Sequence, residues 1–466
     1  MRNVVKILVF ASVALWAQTN PLNMTTAQVV KDMGLGINLG NTFESNGDWI
    51  NGTTVNDYET AWGSPTITKA MIDGYKSAGF KTVRIPVSWT NLMTGNTTGG
   101  TYTISTALLN RVEEVVDWVL GNGMYAIVNI HHQNWIRDNF PNDSAECMKK
   151  YTRIWEQVSA KFKDKSGYLI LESMNEEGVW QTVWTDMYSN GTTGKARAYG
   201  LLNAINKKFY DIIQASGGNN ANRHLLIAGY DTNIDRTSDP MFKLPTGCTH
   251  CAVSVHYYDP FGFTHIDKDG DWTPYLATWG TQADINSLNT EISKMETNFV
   301  DKGIPVIIGE YGFASKLNDS RGRTQAQVTN YTLKVAEAIY TRNMCPVLWD
   351  IQLNPDNGEV IYYYNRKSNP PAFADQQLVV GLKNIAGVSS SSSSSSVVSS
   401  SSSGARSSSS SSSEDATPIA NHSLLATSHS PTYYSLKGEP LGNSKPTKAG
   451  IYIFRQGGSV KKIAVR

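Results

Sequence analysis

The chain has 466 residues, 40% of them hydrophobic and 10% aromatic, enough for one large core or for two to three domains of about 150 residues each. Its 41 basic and 40 acidic residues leave a net charge of +1, and it has four cysteines; the first argues against a nucleic-acid binder and the second excludes a disulfide scaffold. No apolar run reaches the roughly 18 residues that a membrane-spanning helix requires, so no integral membrane segment is expected.

Arg2 and Lys6 precede an apolar run from Ile7 to Ala17. A charged start followed by a short apolar stretch is the order of an export signal, readable as residues 1–17, with cleavage after Ala14 or after Ala17. A secreted or cell-surface protein is the expectation. Export permits disulfides, so Cys248-x-x-Cys251 reads as a local bridge or as free thiols. It has no partner pair at metal spacing, and neither a metal nor an organic cofactor is expected.

From residue 25 to 387 apolar, strand-like runs alternate with helical patterns. The runs are Leu35–Leu39, Thr82–Ile85, Ala126–Ile130, Leu169–Met174, Leu225–Ala228, Ala252–Val255, Val306–Ile308 and Val347–Trp349. Helices are expected over Pro65–Ala78, Ala107–Leu120, Cys147–Phe162, Lys195–Ala215, Ala283–Val300 and Arg323–Thr341, with Ser64-Pro65, Ser105-Thr106 and Asn203 near their starts and Gly79, Gly121 and Gly303 at their stops. Continuous apolar strands alternating with helices imply a parallel sheet covered on both faces. Eight such units suit a TIM barrel, a closed (β/α)8 fold of the α/β class. No dinucleotide glycine fingerprint follows a strand.

The composition breaks at Ser389. From there to Ser413, 20 of 25 residues are Ser, a segment that cannot bury apolar surface and is expected to be a disordered tether about 25–30 Å across. The domains are therefore read as a signal at 1–17, a barrel at 18–388, a linker at 389–413 and a small all-β segment at 414–466. That last segment holds seven basic and three acidic residues, while 18–388 holds 31 basic and 37 acidic ones. It reads as short strands, from Tyr433-Tyr434-Ser435-Leu436 through Gly450-Ile451-Tyr452-Ile453-Phe454-Arg455 to Val460–Val465, with Lys437-Gly438 and Gly457-Gly458 as turns. This progression resembles the C-terminal sorting domains of type IX secretion, which implies the bacterial secretion machinery as a partner. A carbohydrate-binding module is the rival reading.

Chemistry in such a barrel sits at the C-terminal ends of the strands. Seven of the eight runs end in polar or aromatic residues: Asn38, Asn41 and Glu44; Arg84; His131-His132; Asn175-Glu176-Glu177; His256-Tyr257-Tyr258; Glu310-Tyr311; and Trp349-Asp350. Glu176 and Glu310 lie 134 residues apart yet at one rim. Glycoside hydrolysis needs such a pair, one carboxyl to protonate the leaving oxygen and one to attack the anomeric carbon or activate water. An Asn before the acid can bond the sugar 2-hydroxyl, and an Arg near the nucleophile is expected to lower its pKa.

The strings Leu35-Gly36-Ile37-Asn38-Leu39-Gly40-Asn41-Thr42-Phe43-Glu44, Val83-Arg84-Ile85-Pro86-Val87-Ser88-Trp89, Asn129-Ile130-His131-His132, Met174-Asn175-Glu176, Val255-His256-Tyr257-Tyr258-Asp259-Pro260-Phe261 and Ile308-Gly309-Glu310-Tyr311-Gly312 resemble glycoside hydrolase family 5, most of all its endoglucanase and xyloglucanase branch. The resemblance covers 25–387. It implies a retaining endo-β-1,4-glucanase acting on cellulose-like β-glucan or xyloglucan, with Glu176 as acid/base and Glu310 as nucleophile. It further implies Asn175 on the 2-hydroxyl, Arg84 as charge partner, His131, His256 and Tyr258 as support, and Trp349 as the platform under the sugar. His132, Asn41, Glu44, His265 and Trp272 match more variable substrate contacts. A β-mannanase or xylanase on the same barrel is the nearest alternative, and a non-catalytic glycan-binding protein is an alternative of another class.

One departure is Glu177, where the family usually has Pro. It reads as a solvent-side or loop-pairing residue. Glu172, four residues before Glu176, falls on the same strand face and reads as buried and paired below the site. Of the tryptophans, Trp118 and Trp155 fall inside helices. Trp49, Trp62, Trp89, Trp135, Trp180, Trp184, Trp272, Trp279 and Trp349 mostly fall in loops or at strand ends, where a row of rings could pack against sugars.

Overall fold

The computed structural model describes residues 20–131, 135–176, 183–266, 272–315, 323–352 and 363–387, with backbone alone at 432–434, 440–442, 450–456 and 459–465. The signal at 1–17, the linker at 389–413, and His132, Glu177 and Trp180 lie outside the described residues. Two units divide at Ser390/Ser391.

In the first unit the eight apolar runs become β1 (Gly36–Asn38), β2 (Thr82–Ile85), β3 (Tyr125–Asn129), β4 (Leu169–Glu172), β5 (Leu225–Ala228), β6 (Cys251–Tyr257), β7 (Val306–Tyr311) and β8 (Cys345–Leu348). Each pairs in parallel with the next, and β1 closes on β8. The strands alternate faces, as the two-residue repeat of extended chain requires. Val83, Ile85, Ala126, Val128, Leu169, Leu171, Val253 and Val255 point outward into the core shared with the helices. Tyr125, Ile127, Ile170, Leu226, Ala252, Ile307 and Val347 point inward. The N-terminal helix Thr26–Asp32 closes the lower mouth, with Val29, Val30 and Met33 on that inner layer. His224 ties the segment down, with Nδ1 2.9 Å from Thr26 Oγ1 and Nε2 2.9 Å from the Pro21 carbonyl.

The expected helices are present as Lys69–Ser77, Thr106–Gly121, Ser144–Phe162, Gly191–Ala215, Gln282–Asn298 and Gln325–Tyr340. Ser105 caps its helix by accepting from the Leu108 amide. Two expected starts are corrected. The helix begins at Lys69 rather than at Ser64-Pro65, and the Ser64 hydroxyl accepts from Arg366 instead. Asn203 lies inside its helix, donating to the Met241 carbonyl and accepting from the Lys243 amide, so its polar side chain anchors a loop. Gly303, at φ 77°, ends a helical turn in the left-handed conformation that suits glycine. Cys248 and Cys251 form a disulfide at the lower end of β6, and Cys147 and Cys345 are buried thiols.

The second unit carries an antiparallel sheet of Thr432–Tyr434, Pro440–Gly442, Gly450–Gln456 and Ser459–Val465. Three of these strands follow the sequence pattern, and Pro440–Gly442 adds an edge strand that the pattern does not announce.

Candidate active site

The inward strand positions change character at the upper end of the barrel. Immediately above the apolar layer, the same faces carry Asn38, Arg84, Asn129, Glu172 and Ser254, all fully buried. Arg84 is the hub. Its Nε donates to Glu172 at 2.7 Å, Nη1 donates to Asn38 Oδ1 at 3.0 Å and to Glu310 Oε1 at 2.8 Å, and Nη2 donates to Asn175 Oδ1 at 2.8 Å. Ser254 Oγ donates to the other Glu172 oxygen at 2.7 Å. Glu172 is thus paired below the site, as its position four residues before Glu176 suggests. Burial works against the charge of Arg84, but the two carboxylates beside it outweigh burial and keep the guanidinium protonated.

Glu310 reaches the interior through an irregularity in the sheet. Val255 pairs with Ile308 but His256 pairs with Glu310, which leaves Gly309 as an extra residue. Without that bulge Glu310 would share the outward face of Ile308, because a one-residue slip reverses every side chain. Turned inward, it accepts from Arg84 and from the Tyr258 hydroxyl at 2.9 Å. His131 Nε2 stands 4.0 Å from it and His256 Nδ1 3.6 Å. Burial raises the Glu310 carboxyl above the ordinary range, while His256 and Arg84 pull it down. The expected lowering by arginine is present, but burial outweighs it.

Glu176 lies just beyond β4, with Oε1 2.6 Å from Nδ1 of His256. One oxygen from each of Glu176 and Glu310 and one ring nitrogen of His256 all lie within 4.8 Å of one another. The imidazole therefore stands between two carboxyls that form one unit. Above them is a cleft of about 340 Å³, lined by Glu176, Glu310, His131, Asn175, His256 and Tyr258 together with Trp349, His265 and Trp272. Trp349 stacks on His131 at 5.9 Å with an 8° interplanar angle. His265 meets the edge of Tyr258 at 4.7 Å, and Trp272, 58% exposed, meets Phe261 at 5.2 Å.

Two expected residues stand elsewhere. Glu44 is fully buried and turns back on its own loop, accepting from the amides of Asn41 and Thr42, the latter at 2.9 Å. Asn41 adopts φ 56° and directs Nδ2 to the Trp62 carbonyl at 3.4 Å. Neither lines the cleft. The pair shapes the loop after β1, since a left-handed Asn needs local bonds to hold it. Several expected loop tryptophans are also core: Trp89 and Trp184 are fully buried and Trp279 nearly so.

Sequence reasoning passes over two features. Asn129 bonds His131 Nδ1 at 3.1 Å and accepts from the Val87 amide at 3.3 Å, so it orients the imidazole; its inward place on the third strand was the available signal. Asp231, Thr232 and Asn233 bring the loop after β5 into the cleft. The fifth run is the one whose last residues, Leu225–Ala228, carry no polar group, so nothing in the pattern points there.

The chain matches the model of the cellulase family, glycosyl hydrolase family 5, over residues 43–354. It is 34% identical to Endoglucanase A of Paenibacillus barcinonensis over 375 residues, covering 74% of this chain and 87% of that one. It is 35% identical to Endoglucanase B of Clostridium cellulovorans, covering 72% and 70%. Among solved structures, a GH5-4 broad specificity endoglucanase from an uncultured bovine rumen ciliate superposes with a TM-score of 0.68 at 32% identity, covering 78% of this chain and 99% of that one. A family 5 lichenase from Caldicellulosiruptor in complex with cellotetraose gives 0.70 at 30%, covering 83% and 100%. With the barrel, the paired carboxyls and these matches together, the chain belongs to glycosyl hydrolase family 5, the cellulases.

Proposed function

We propose that the barrel hydrolyses internal β-1,4 bonds of β-glucan with retention of anomeric configuration. The observation that carries this reading is the separation of Glu176 and Glu310, with an oxygen of each within 4.8 Å. Retaining enzymes hold their carboxyls about 5–5.5 Å apart, whereas inverting ones leave about 6.5–9.5 Å for a water.

In the first step Glu310 attacks the anomeric carbon while Glu176 gives its proton to the leaving oxygen, so the glycosidic C–O bond breaks as the ester bond forms. In the second, water attacks that carbon, Glu176 takes the water proton, and Glu310 leaves. Arg84 and Tyr258 steady the charge on Glu310 through the bonds described above. Asn175, its carbonyl held by Arg84, keeps its amide hydrogens for the sugar 2-hydroxyl. Trp349, seated on His131, is the surface on which the sugar ring rests.

Relatives named as endoglucanases and a lichenase bound to cellotetraose support a glucan substrate. A purified-enzyme panel of cellulose derivative, mixed-linkage glucan, xyloglucan, mannan and xylan ranks the preference, and dominant mannan or xylan turnover would overturn the glucanase reading. Glu310→Ala should lower the rate on soluble β-glucan by orders of magnitude, and an unchanged rate would refute the nucleophile assignment.

We also infer that residues 1–17 direct export and that the sheet of the second unit is a sorting segment. The Tyr433–Leu436, Gly450–Arg455 and Val460–Val465 progression supports this reading. Removing 414–466 should spare hydrolysis of soluble glucan while retaining the protein in the periplasm.

A further inference from the structure

The site holds a third carboxyl. Asp231 lines the same cleft as Glu176, His256 and Glu310, and its side chain is 9% exposed. Oδ2 pairs with Arg236 Nη1, but Oδ1 is buried without a hydrogen-bond partner. A buried carboxyl oxygen left unpaired is costly, and a ligand that completes it is one reason for its retention. The backbone agrees. Asp231 at φ 59° and Thr232 at φ 43° are consecutive left-handed residues, the second β-branched, for which this conformation is a true outlier. Such strain persists where the surrounding structure imposes it, and it gathers at functional sites. Burial raises the Asp231 carboxyl to about 8, Arg236 opposes the rise, and the charge of Glu176 adds to it.

Its place in the barrel says which part of the substrate it meets. β5 lies between β4, which leads to Glu176, and β6, which carries His256. Trp349, the platform for the sugar that is attacked, follows β8, three strands further round. Glu176 delivers its proton to the leaving oxygen, so the sugar beyond that oxygen lies on the Glu176 side. Resting on the proposed glucanase reading, we propose that Asp231 binds the leaving-group sugar through a hydrogen bond between its carboxyl and a ring hydroxyl. A sugar hydroxyl both donates and accepts, so the bond forms with the carboxylate and with the protonated acid alike.

Two substrates separate this role from a structural one. Cellotetraose presents a sugar on the leaving side, whereas a chloronitrophenyl β-cellobioside presents only an aryl group there. In the full chain, Asp231→Ala should lower the ratio of kcat/KM for cellotetraose to that for the aryl glycoside by about tenfold, the scale of one lost hydrogen bond to a charged or buried partner. Asp231→Asn, which keeps the size and the hydrogen-bonding atoms, should recover a large part of that ratio. Equal losses on both substrates would assign Asp231 to holding the loop and overturn the proposal, as would no loss on cellotetraose. A wild type inert on both would overturn the glucanase reading itself, and this assignment with it.

Discussion

Gly309 stands directly against His256: a Cβ placed on Gly309 would lie 3.2 Å from Nε2 of the imidazole and 3.1 Å from Ser254 Oγ. Neither neighbour is free to move. His256 is held through Nδ1 by Glu176, and Ser254 is held by Glu172. The residue that makes the bulge, and so turns Glu310 inward, is thus also the one whose lack of a side chain leaves room for the imidazole. Gly309→Ala should lower kcat by at least about tenfold, in line with the sensitivity of rate to sub-ångström displacement of catalytic groups. Its circular dichroism should stay native. Unaltered kcat would show that the packing here is looser than these distances imply.

Arg84, Glu172 and Glu310 form a buried charge cluster in which two carboxylates share one guanidinium. Removing a partner strands the others, at about 3–5 kcal/mol for a buried pair. Glu172→Ala should destabilise the barrel by that amount in urea unfolding and also slow catalysis, although Glu172 does not line the cleft. Glu172→Gln, which keeps an acceptor for Arg84, should lose less. A change in stability below about 1 kcal/mol for the alanine variant, the level of an exposed pair, would contradict the cluster's role.

Glu44 sets a pH dependence of stability. Burial lifts its carboxyl to about 7, against the amides of Thr42 and Asn41 and the charge of Arg366. The folded chain therefore binds that proton more tightly than the unfolded chain, whose carboxyl titrates near 4.5. The stabilisation is fully present below the unfolded value and is lost as pH rises through about 7. A shift of this size is worth at most about 3 kcal/mol. Urea midpoints of the wild type should fall between about pH 5 and about pH 8, with Glu44→Gln flattening that slope. Parallel pH curves for the two proteins would contradict the assignment.

The two cleft tryptophans should differ in weight. Trp349 is backed by His131, while Trp272 is more than half exposed and meets Phe261 at an angle. Trp349→Ala should cost about a hundredfold in kcat/KM, and Trp272→Ala about tenfold or less, the range of one half-buried, backed ring versus one exposed ring. Equal effects would place both rings on one footing.

The barrel was legible because its strands are continuous apolar runs and its helices are amphipathic, so each element announces its own period. The rim residues Arg84, His131, Glu176, His256 and Glu310 were legible as polar groups at strand ends. Their aim was not. Glu310 depends on a bulge that sequence spacing hides, since Ile308 and Glu310 share strand parity in an unbroken ladder. Glu44 and Asn41 occupy the right end of β1 yet fold back on their own loop, because buried amides there need acceptors. Asp231 escaped because it sits three residues past an apolar strand end, on a loop whose left-handed turn no residue type advertises. Trp89 and Trp184 show the same limit from the other side: a ring after a strand can serve the core as readily as a sugar.

The central claim is that Glu176 and Glu310 stand close enough for direct attack on the sugar. Proton NMR of the first products released from a soluble β-glucan oligosaccharide tests it most directly. The account predicts that the new reducing end appears first as the β-anomer and only later mutarotates. An initial α-anomer would mean that a water stands between the sugar and the base, and would contradict it.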